Sequence, residues 1–211
     1  MNNLEVWKAV FENYLREHPL SDGSHDISHF QRMWKLANNF SSSSDDKLVI
    51  LAACYFHDIV NYPKNDHKRS QSSKDSAIKA ETILLSLGFP HEKLDGVKHC
   101  IEAHSFSANI QTQTSEAEII QDADRIESLG AIGLARTFYV AGLMGSKLFC
   151  SEDPFAENRN LDDKKFTIDH FHLKLLKLPS TMKTQKGKAE AAKRAEVLTK
   201  FLEDLKGELA T

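Results

Sequence analysis

Apolar residues recur along most of this chain at the three- and four-residue intervals of an amphipathic helix, whereas strict alternation of apolar and polar residues is almost absent. The spacing predicts a first helix over residues 4–17 and a second over 26–40, with His29 on the apolar stripe of the second. Residues 48–60 (LVILAACYFHDIV) are apolar on all sides, which favours a buried central helix with Asp45 as its N-cap. The predicted fold class is therefore all-α.

The helical pattern resumes after a polar segment. Residues 61–75 are predicted to be a long loop, and Asp75 is predicted to cap a helix that ends at Gly88. A further helix is expected after Pro90, since apolar positions at helical spacing follow it. That apolar stripe also carries His104, so a second histidine is expected to face the core.

The last third of the chain is also predicted to be helical. Ser115 and Glu118 match a capping box, which predicts one long helix that continues through residues 130–143. Residues 146–165 have no clear period, and helical spacing returns over two final segments, 166–178 and 189–209. With neither an internal repeat nor a linker in the sequence, we expect a single domain over residues 1–211.

Composition and charge exclude several classes of function. The 211 residues include 27 Lys and Arg against 30 Asp and Glu, a formal net charge of -3. We therefore expect neither nucleic-acid binding nor attachment to an anionic membrane, because both need a basic field. No apolar run reaches the roughly 18 to 20 residues that span a bilayer. The three cysteines lack CxxC spacing, which argues against disulfides and thiolate zinc and favours a cytoplasmic protein.

Ten histidines are the unusual feature of the composition. His29 on an apolar stripe, the adjacent pair His57 and Asp58, and an acid at Asp122 or Asp124 all lie on or at the ends of apolar helices. Burying unpaired imidazole or carboxylate groups costs several kcal/mol unless hydrogen bonds or an opposite charge compensate for it. A divalent metal would compensate all four groups, and a mixed nitrogen and oxygen donor set suits Mn²⁺, Fe²⁺, Co²⁺ or Zn²⁺. Helical spacing alone does not choose between the two acids.

The ordered set of His29, His57-Asp58 and Asp124 resembles the H…HD…D signature of the HD-domain metal-dependent phosphohydrolases. Four local strings extend the likeness to the small bacterial single-domain subgroup, which includes the YedJ-like and YpgQ-like proteins: HDISHFQRMWKLA, LAACYFHDIV, IEAHSFSA and QDADRIESLGAIGLAR. The resemblance spans about residues 20–205. It implies a helical bundle with a motif core over about 20–145 and a C-terminal helical extension over about 146–211.

The resemblance also implies a metal site. Its ligands would be His29, His57, Asp58 and Asp124, with Asp124 preferred because the string ADRI resembles a family element. Asp122 is the alternate ligand, or a residue that orients one. One divalent ion is expected, manganese first, with iron, cobalt, magnesium, zinc or nickel as alternatives and a second ion left open. The expected reaction is hydrolysis of a phosphate ester or pyrophosphate bond by a metal-activated water, with a nucleotide as the expected substrate.

Further residues are expected to contact the substrate or the reacting atoms. Asp58 can also orient the attacking water, and His104 and His25 are candidates for phosphate binding or proton donation. Local cations are needed to bind phosphate in an acidic protein. The candidates near the motif residues are Arg32, Lys64, Lys68 and Arg69. The alternative for the last three is a solvated charged loop.

Two other functions are compatible with the motif. A related HD architecture holds two irons and oxidises its substrate with O₂. It requires further histidine ligands, of which His104 could supply one. A non-catalytic module that binds nucleotide or metal is the third interpretation. The expected partner in the leading interpretation is a small phosphorylated molecule, and the sequence leaves the oligomeric state open.

Overall fold

The computed structural model describes residues 3–19, 27–62 and 66–210. Within these ranges the chain is helical and forms no β-sheet, which confirms the all-α prediction. The helices are α1 Asn3–Glu17, α2 Ile27–Phe40, α3 Lys47–Phe56, α4 Ser72–Ser86, α5 Leu94–His104, α6 Ser115–Ile126, α7 Gly130–Leu143, α8 Thr167–Leu173 and α9 Gln185–Leu209. Short 3-10 helices lie at Arg69–Gln71, His91–Lys93 and Leu175–Thr181. None of the helices described is both long enough and apolar enough to cross a membrane.

The chain divides into two compact units, residues 1–124 and 125–211. The boundary falls within α6, whereas the sequence predicts a motif core that extends to about residue 145. A single domain over the whole chain therefore stays a prediction.

Helix α3 is the centre of the first unit. It packs against α1, α2, α4 and α5, and every residue from Leu48 to Phe56 is buried. The predicted buried helix is thus confirmed, but its predicted cap is wrong by one residue. The side chain of Asp46, not Asp45, accepts hydrogen bonds from two backbone N–H groups of the first turn. Asp45 instead accepts a hydrogen bond from the backbone N–H of Ser42.

The polar segment after α3 is shorter than predicted, because α4 begins at Ser72 and not after Asp75. Two serines on the first turns of α4 bind the loop: Ser76 Oγ accepts from the backbone N–H of Val60, and Ser72 Oγ accepts from that of Tyr62. Asp75 is not a cap. It lies in the first turn and accepts a hydrogen bond of 2.8 Å from Tyr62 Oη.

The predicted long helix from Ser115 is two helices. Helix α6 ends at Ile126, and α7 begins at Gly130, whose φ of +70° lies in the left-handed region that favours glycine. The predicted capping box is also wrong. Thr114 Oγ1 accepts a hydrogen bond from the backbone N–H of Ala117, so Thr114 occupies the capping position and Ser115 is already helical.

In the second unit, α9 packs against α7 and the last 3-10 helix, and the rings of Phe138, Phe171 and Phe201 form a cluster. The segment predicted to lack periodicity is irregular, but it is anchored. The guanidinium of Arg159 donates two hydrogen bonds to the buried carboxylate of Asp169 on α8, at 2.5 and 2.7 Å. This pair fixes the loop to α8.

Candidate metal centre

Two buried histidines from different helices meet in the first unit. His29 lies on the buried face of α2 together with Phe30 and Met33, as its helical spacing predicts. His57 follows the last residue of α3 and keeps helical backbone angles. Their Nε2 atoms are 3.4 Å apart, and both side chains have no exposed surface. Helix packing thus joins two imidazoles that are 28 residues apart in the chain.

Carboxylates from two further segments approach the same atoms. Asp58 Oδ2 lies 3.6 Å from His57 Nε2, and Asp124 Oδ1, on α6, lies 3.7 Å from it. Unlike the imidazoles, these carboxylates are partly accessible, with 14% of the Asp58 and 27% of the Asp124 side chain exposed. The cluster is therefore closed on its histidine side and accessible on its carboxylate side.

His104 completes the cluster. Its Nε2 atom lies 3.5 Å from Asp58 Oδ1, and its ring is nearly perpendicular to that of His57, with the ring centres 4.9 Å apart. The residue ends α5 and is 4% exposed, in agreement with its predicted core-facing position. His104 is thus next to Asp58 and His57, the residues of the HD pair.

Backbone carbonyls fix the orientation of two imidazoles. His57 Nδ1 is 3.0 Å from the carbonyl oxygen of Cys54, and His104 Nδ1 is 2.6 Å from that of Ile101. A carbonyl oxygen only accepts, so each Nδ1 carries the proton and donates it. Each Nε2 is then directed toward the carboxylates, which is how metal-binding histidines are commonly oriented by their second ring nitrogen.

The electrostatics of the cluster favour positive charge. Burial lowers the pKa of His57, but the carboxylates of Asp58 and Asp124 outweigh it and raise that pKa above its ordinary value. For Asp124, burial raises the pKa, yet the hydrogen bond and charge of His57 hold it well below its usual range. Both shifts have one cause, the attraction between a carboxylate and a buried imidazole, whereas the charge of Asp58 acts in the opposite direction and raises the pKa of Asp124. A cation would stabilise the two carboxylates together.

The donor atoms form two overlapping sets. The ligand atoms of His29, His57 and Asp124 lie within 4.8 Å of one another, and so do those of His57, Asp58 and His104. Imidazole nitrogen and carboxylate oxygen are the donors that first-row divalent metals accept, so these residues fit a divalent cation. Asp122 is fully buried on α6 but belongs to neither set that the described residues form.

The predicted phosphate-binding residues have different surroundings. His25 and Lys64 lie outside the described residues. Arg32 is on α2, one turn after Ser28, to whose Oγ its guanidinium donates at 2.9 Å. Lys68 is exposed to solvent. Arg69 donates to the backbone carbonyl oxygen of Tyr62 at 2.7 Å and to the side chain of Asn61.

Sequence reasoning missed how the loop after Asp58 is held. Ser72 and Ser76 on α4 and the guanidinium of Arg69 all bind its backbone, so Arg69 has a structural function that its charge did not reveal. The sequence does contain a signal for this contact, because Ser72 and Ser76 in SSKDS are four residues apart and so lie on one face of a helix. The polar composition of the segment instead favoured a loop. Another missed residue is Gln121, whose amide donates to the carbonyl of Ala103, next to His104, at 2.8 Å.

Comparison with known proteins adds relatives that share this arrangement of helices. Residues 26–129 match the family model "HD domain". The chain is 27% identical over 190 residues to the uncharacterized protein YpgQ of Bacillus subtilis, a match that covers 88% of this chain and 84% of YpgQ. The crystal structure of an HD-superfamily hydrolase from Bacillus thuringiensis is similar at 27% identity and a TM-score of 0.71, over 99% of this chain and 97% of that one. The crystal structure of B. subtilis YpgQ in complex with ADP is similar at 25% identity and a TM-score of 0.72, over 95% and 97% of the two chains.

Proposed function

Because this chain belongs to the HD-domain superfamily, whose members include hydrolases, we propose that it is a divalent-metal-dependent phosphohydrolase that acts on nucleotides. The observation that carries the proposal is the pair of overlapping sets of ring nitrogens and carboxylate oxygens, in each of which the donor atoms lie within 4.8 Å of one another. The ligands would be His29, His57, Asp58 and Asp124, with manganese as the expected ion. A bound divalent ion supplies Lewis-acid polarisation of a phosphoryl oxygen and lowers the pKa of bound water.

The chain's own residues would orient the reaction. Asp58 lies between His57 and His104, so its carboxylate can hold the attacking water while it contributes to the cation site. His104 is the proposed proton carrier, because the hydrogen bond of its Nδ1 to a carbonyl leaves Nε2 as the atom that can donate to a leaving-group oxygen. The partial exposure of Asp58 and Asp124 supports substrate entry from the carboxylate side.

Nucleotide is the proposed substrate class because the YpgQ relative was solved with ADP. In a chain with a net charge of -3, its phosphates would be bound by the cation and by local basic groups. We propose Arg32, Lys64 and Lys68 for this function, and His25 as a further phosphate ligand or proton donor. Arg69 is a further proposed phosphate ligand, through the guanidinium N–H groups that do not bind Asn61 and Tyr62.

A release assay tests the proposal. The protein, stripped of metal, is incubated with nucleoside mono-, di- and triphosphates and with Mn²⁺, Co²⁺, Mg²⁺ or Zn²⁺ separately, and phosphate and pyrophosphate are measured. We expect metal-dependent release that His57→Ala abolishes. Exposed Lys35 on α2 provides the control, since Lys35→Ala should leave release unchanged. Release that persists in His57→Ala, or two irons per chain with O₂ consumption and no phosphate release, would overturn the proposal.

A further inference from the structure

The carboxylate of Glu12, on α1, joins the two helices that carry the histidine ligands. Its Oε1 accepts a hydrogen bond of 2.9 Å from the side-chain amide of Gln31 on α2 and one of 2.8 Å from the hydroxyl of Tyr55 on α3. A single oxygen atom therefore links α2 to α3. Tyr55 has no exposed surface and Glu12 is 8% exposed, so water has little access to compete for the bond between them, whereas Gln31 is exposed on its other side.

Both donors lie two residues from a histidine of the metal cluster. Gln31 follows His29 by two positions, and Tyr55 precedes His57 by two. A helix turns about 100° per residue, so side chains two positions apart project on opposite sides. The link made by Glu12 is thus on the back of α2 and α3, while His29 and His57 meet on the front at 3.4 Å.

The acceptor, the carboxylate of Glu12, is a buried charge that two nearby cations compensate. Arg16 donates to Glu12 Oε2 at 3.1 Å and Lys8 lies 3.6 Å from Oε1, both one turn away on α1. Burial raises the pKa of Glu12, but the hydrogen bonds from Gln31 and Tyr55 and the two cations hold it below its ordinary value. Hydrogen bonds to an ionised acceptor are roughly twice as strong as those between neutral groups.

We infer that Glu12 is a positioning residue that sets the spacing of His29 and His57 and so determines the affinity of the cluster for a divalent cation. The inference rests on the proposed metal site. Glu12 lies outside the segment, residues 26–129, that matches the HD family model, so α1 adds this constraint from beyond the matched region. A residue that only stabilised the fold would leave metal affinity unchanged in protein that remains folded.

Four changes separate positioning from stability. Glu12→Ala removes the link, and the double variant Gln31→Ala with Tyr55→Phe removes its two donors but keeps the carboxylate. Glu12→Gln keeps an oxygen that can accept both bonds. Leu15→Ala is the matched control, because Leu15 is buried on the same helix and its loss weakens α1 packing without touching the link.

Three measurements are made on each protein: the Tm without metal, the Kd for Mn²⁺ by calorimetry, and the distance between His29 Nε2 and His57 Nε2 in crystals without metal. We expect the first two variants to bind Mn²⁺ about tenfold more weakly, in the lower part of the range for groups that orient metal ligands. We also expect their ring nitrogens to separate by about 0.5 Å more, the tolerance of a working site. Leu15→Ala should retain the wild-type Kd and spacing, and Glu12→Gln, which keeps the oxygen but loses the charge, should lie between the wild type and Glu12→Ala.

An unchanged Kd and spacing in Glu12→Ala would overturn the inference, as would equal losses of affinity in Glu12→Ala and in Leu15→Ala at a similar Tm. A wild-type protein that binds no metal would contradict the proposed function instead. In that case the distance between His29 Nε2 and His57 Nε2 in crystals of the variants and the wild type would still test whether Glu12 positions the two histidines.

Discussion

Replacing Asp124 by asparagine tests which of the two neighbouring acids on α6 belongs to the metal site. The change removes one negative charge from a set of donor atoms that lie within 4.8 Å of one another. At about that separation, with an effective dielectric constant of about 20, two unit charges interact by about 3.5 kcal/mol. A carboxamide still offers a neutral oxygen and recovers part of this energy.

We therefore expect Asp124→Asn to weaken Mn²⁺ binding at least about 100-fold, since each 1.4 kcal/mol is a factor of ten in Kd. Asp122→Asn is the matched control because it removes the same charge two positions away, from a buried residue outside both donor sets. Its expected loss is about tenfold, the lower end of the range for a group that supports a ligand.

Calorimetric titration of the metal-free proteins with Mn²⁺ gives both values, and circular dichroism shows whether each variant is folded. A larger loss of affinity in folded Asp122→Asn than in Asp124→Asn would refute this assignment of the ligand. Equal affinity in Asp124→Asn and the wild type would show that the carboxylate does not bind the ion, whatever its distance from His57.

Three further predictions concern stability and the loop after Asp58. Burial raises the pKa of Asp169, but hydrogen bonds from Arg159 and the backbone N–H of Asp162 hold it below its ordinary value, so the pair stabilises the fold at neutral pH and this stability is lost as pH falls below about 4. Asp169→Asn should therefore lower the Tm at pH 7 and reduce the further fall of the Tm at acid pH. Curves of Tm against pH that run parallel in the variant and the wild type would contradict this. A Cβ at Gly133 would lie 2.2 Å from the carbonyl carbon of Ser128, so Gly133→Ala should lower the free energy of unfolding, measured in urea, by about 1 to 3 kcal/mol. In the control Gly142→Ala, where nothing lies within 4 Å of the new Cβ, this free energy should be unchanged or rise by up to about 1 kcal/mol. Similar values for the two variants would refute the clash. Arg69→Ala should lower the Tm because Arg69 binds the backbone of Tyr62, whereas Lys68→Ala should leave the Tm unchanged and raise the KM for the nucleotide, and the reverse result would exchange their functions.

Several local predictions failed where a neighbouring polar residue could make the same hydrogen bond. Asp45 and Asp46 are both good caps, and so are Thr114 and Ser115; packing decided which side chain faces the helix end. The length of the loop before α4 was overestimated for a related reason. Ser72 and Ser76 are polar in composition, yet they are buried against the loop, which propensity cannot reveal.

The sequence by itself determined the helical fold class, the buried character of α3 and the motif residues, because apolar periodicity and residue type are local properties of the chain. It also indicated that His29 and His104 face the core. Only the tertiary structure brought His104 to within 3.5 Å of Asp58 and Asp124 to within 3.7 Å of His57. The link from Glu12 to the backs of α2 and α3 was likewise invisible in the sequence, because distances between side chains on different helices are set by packing and not by spacing along the chain.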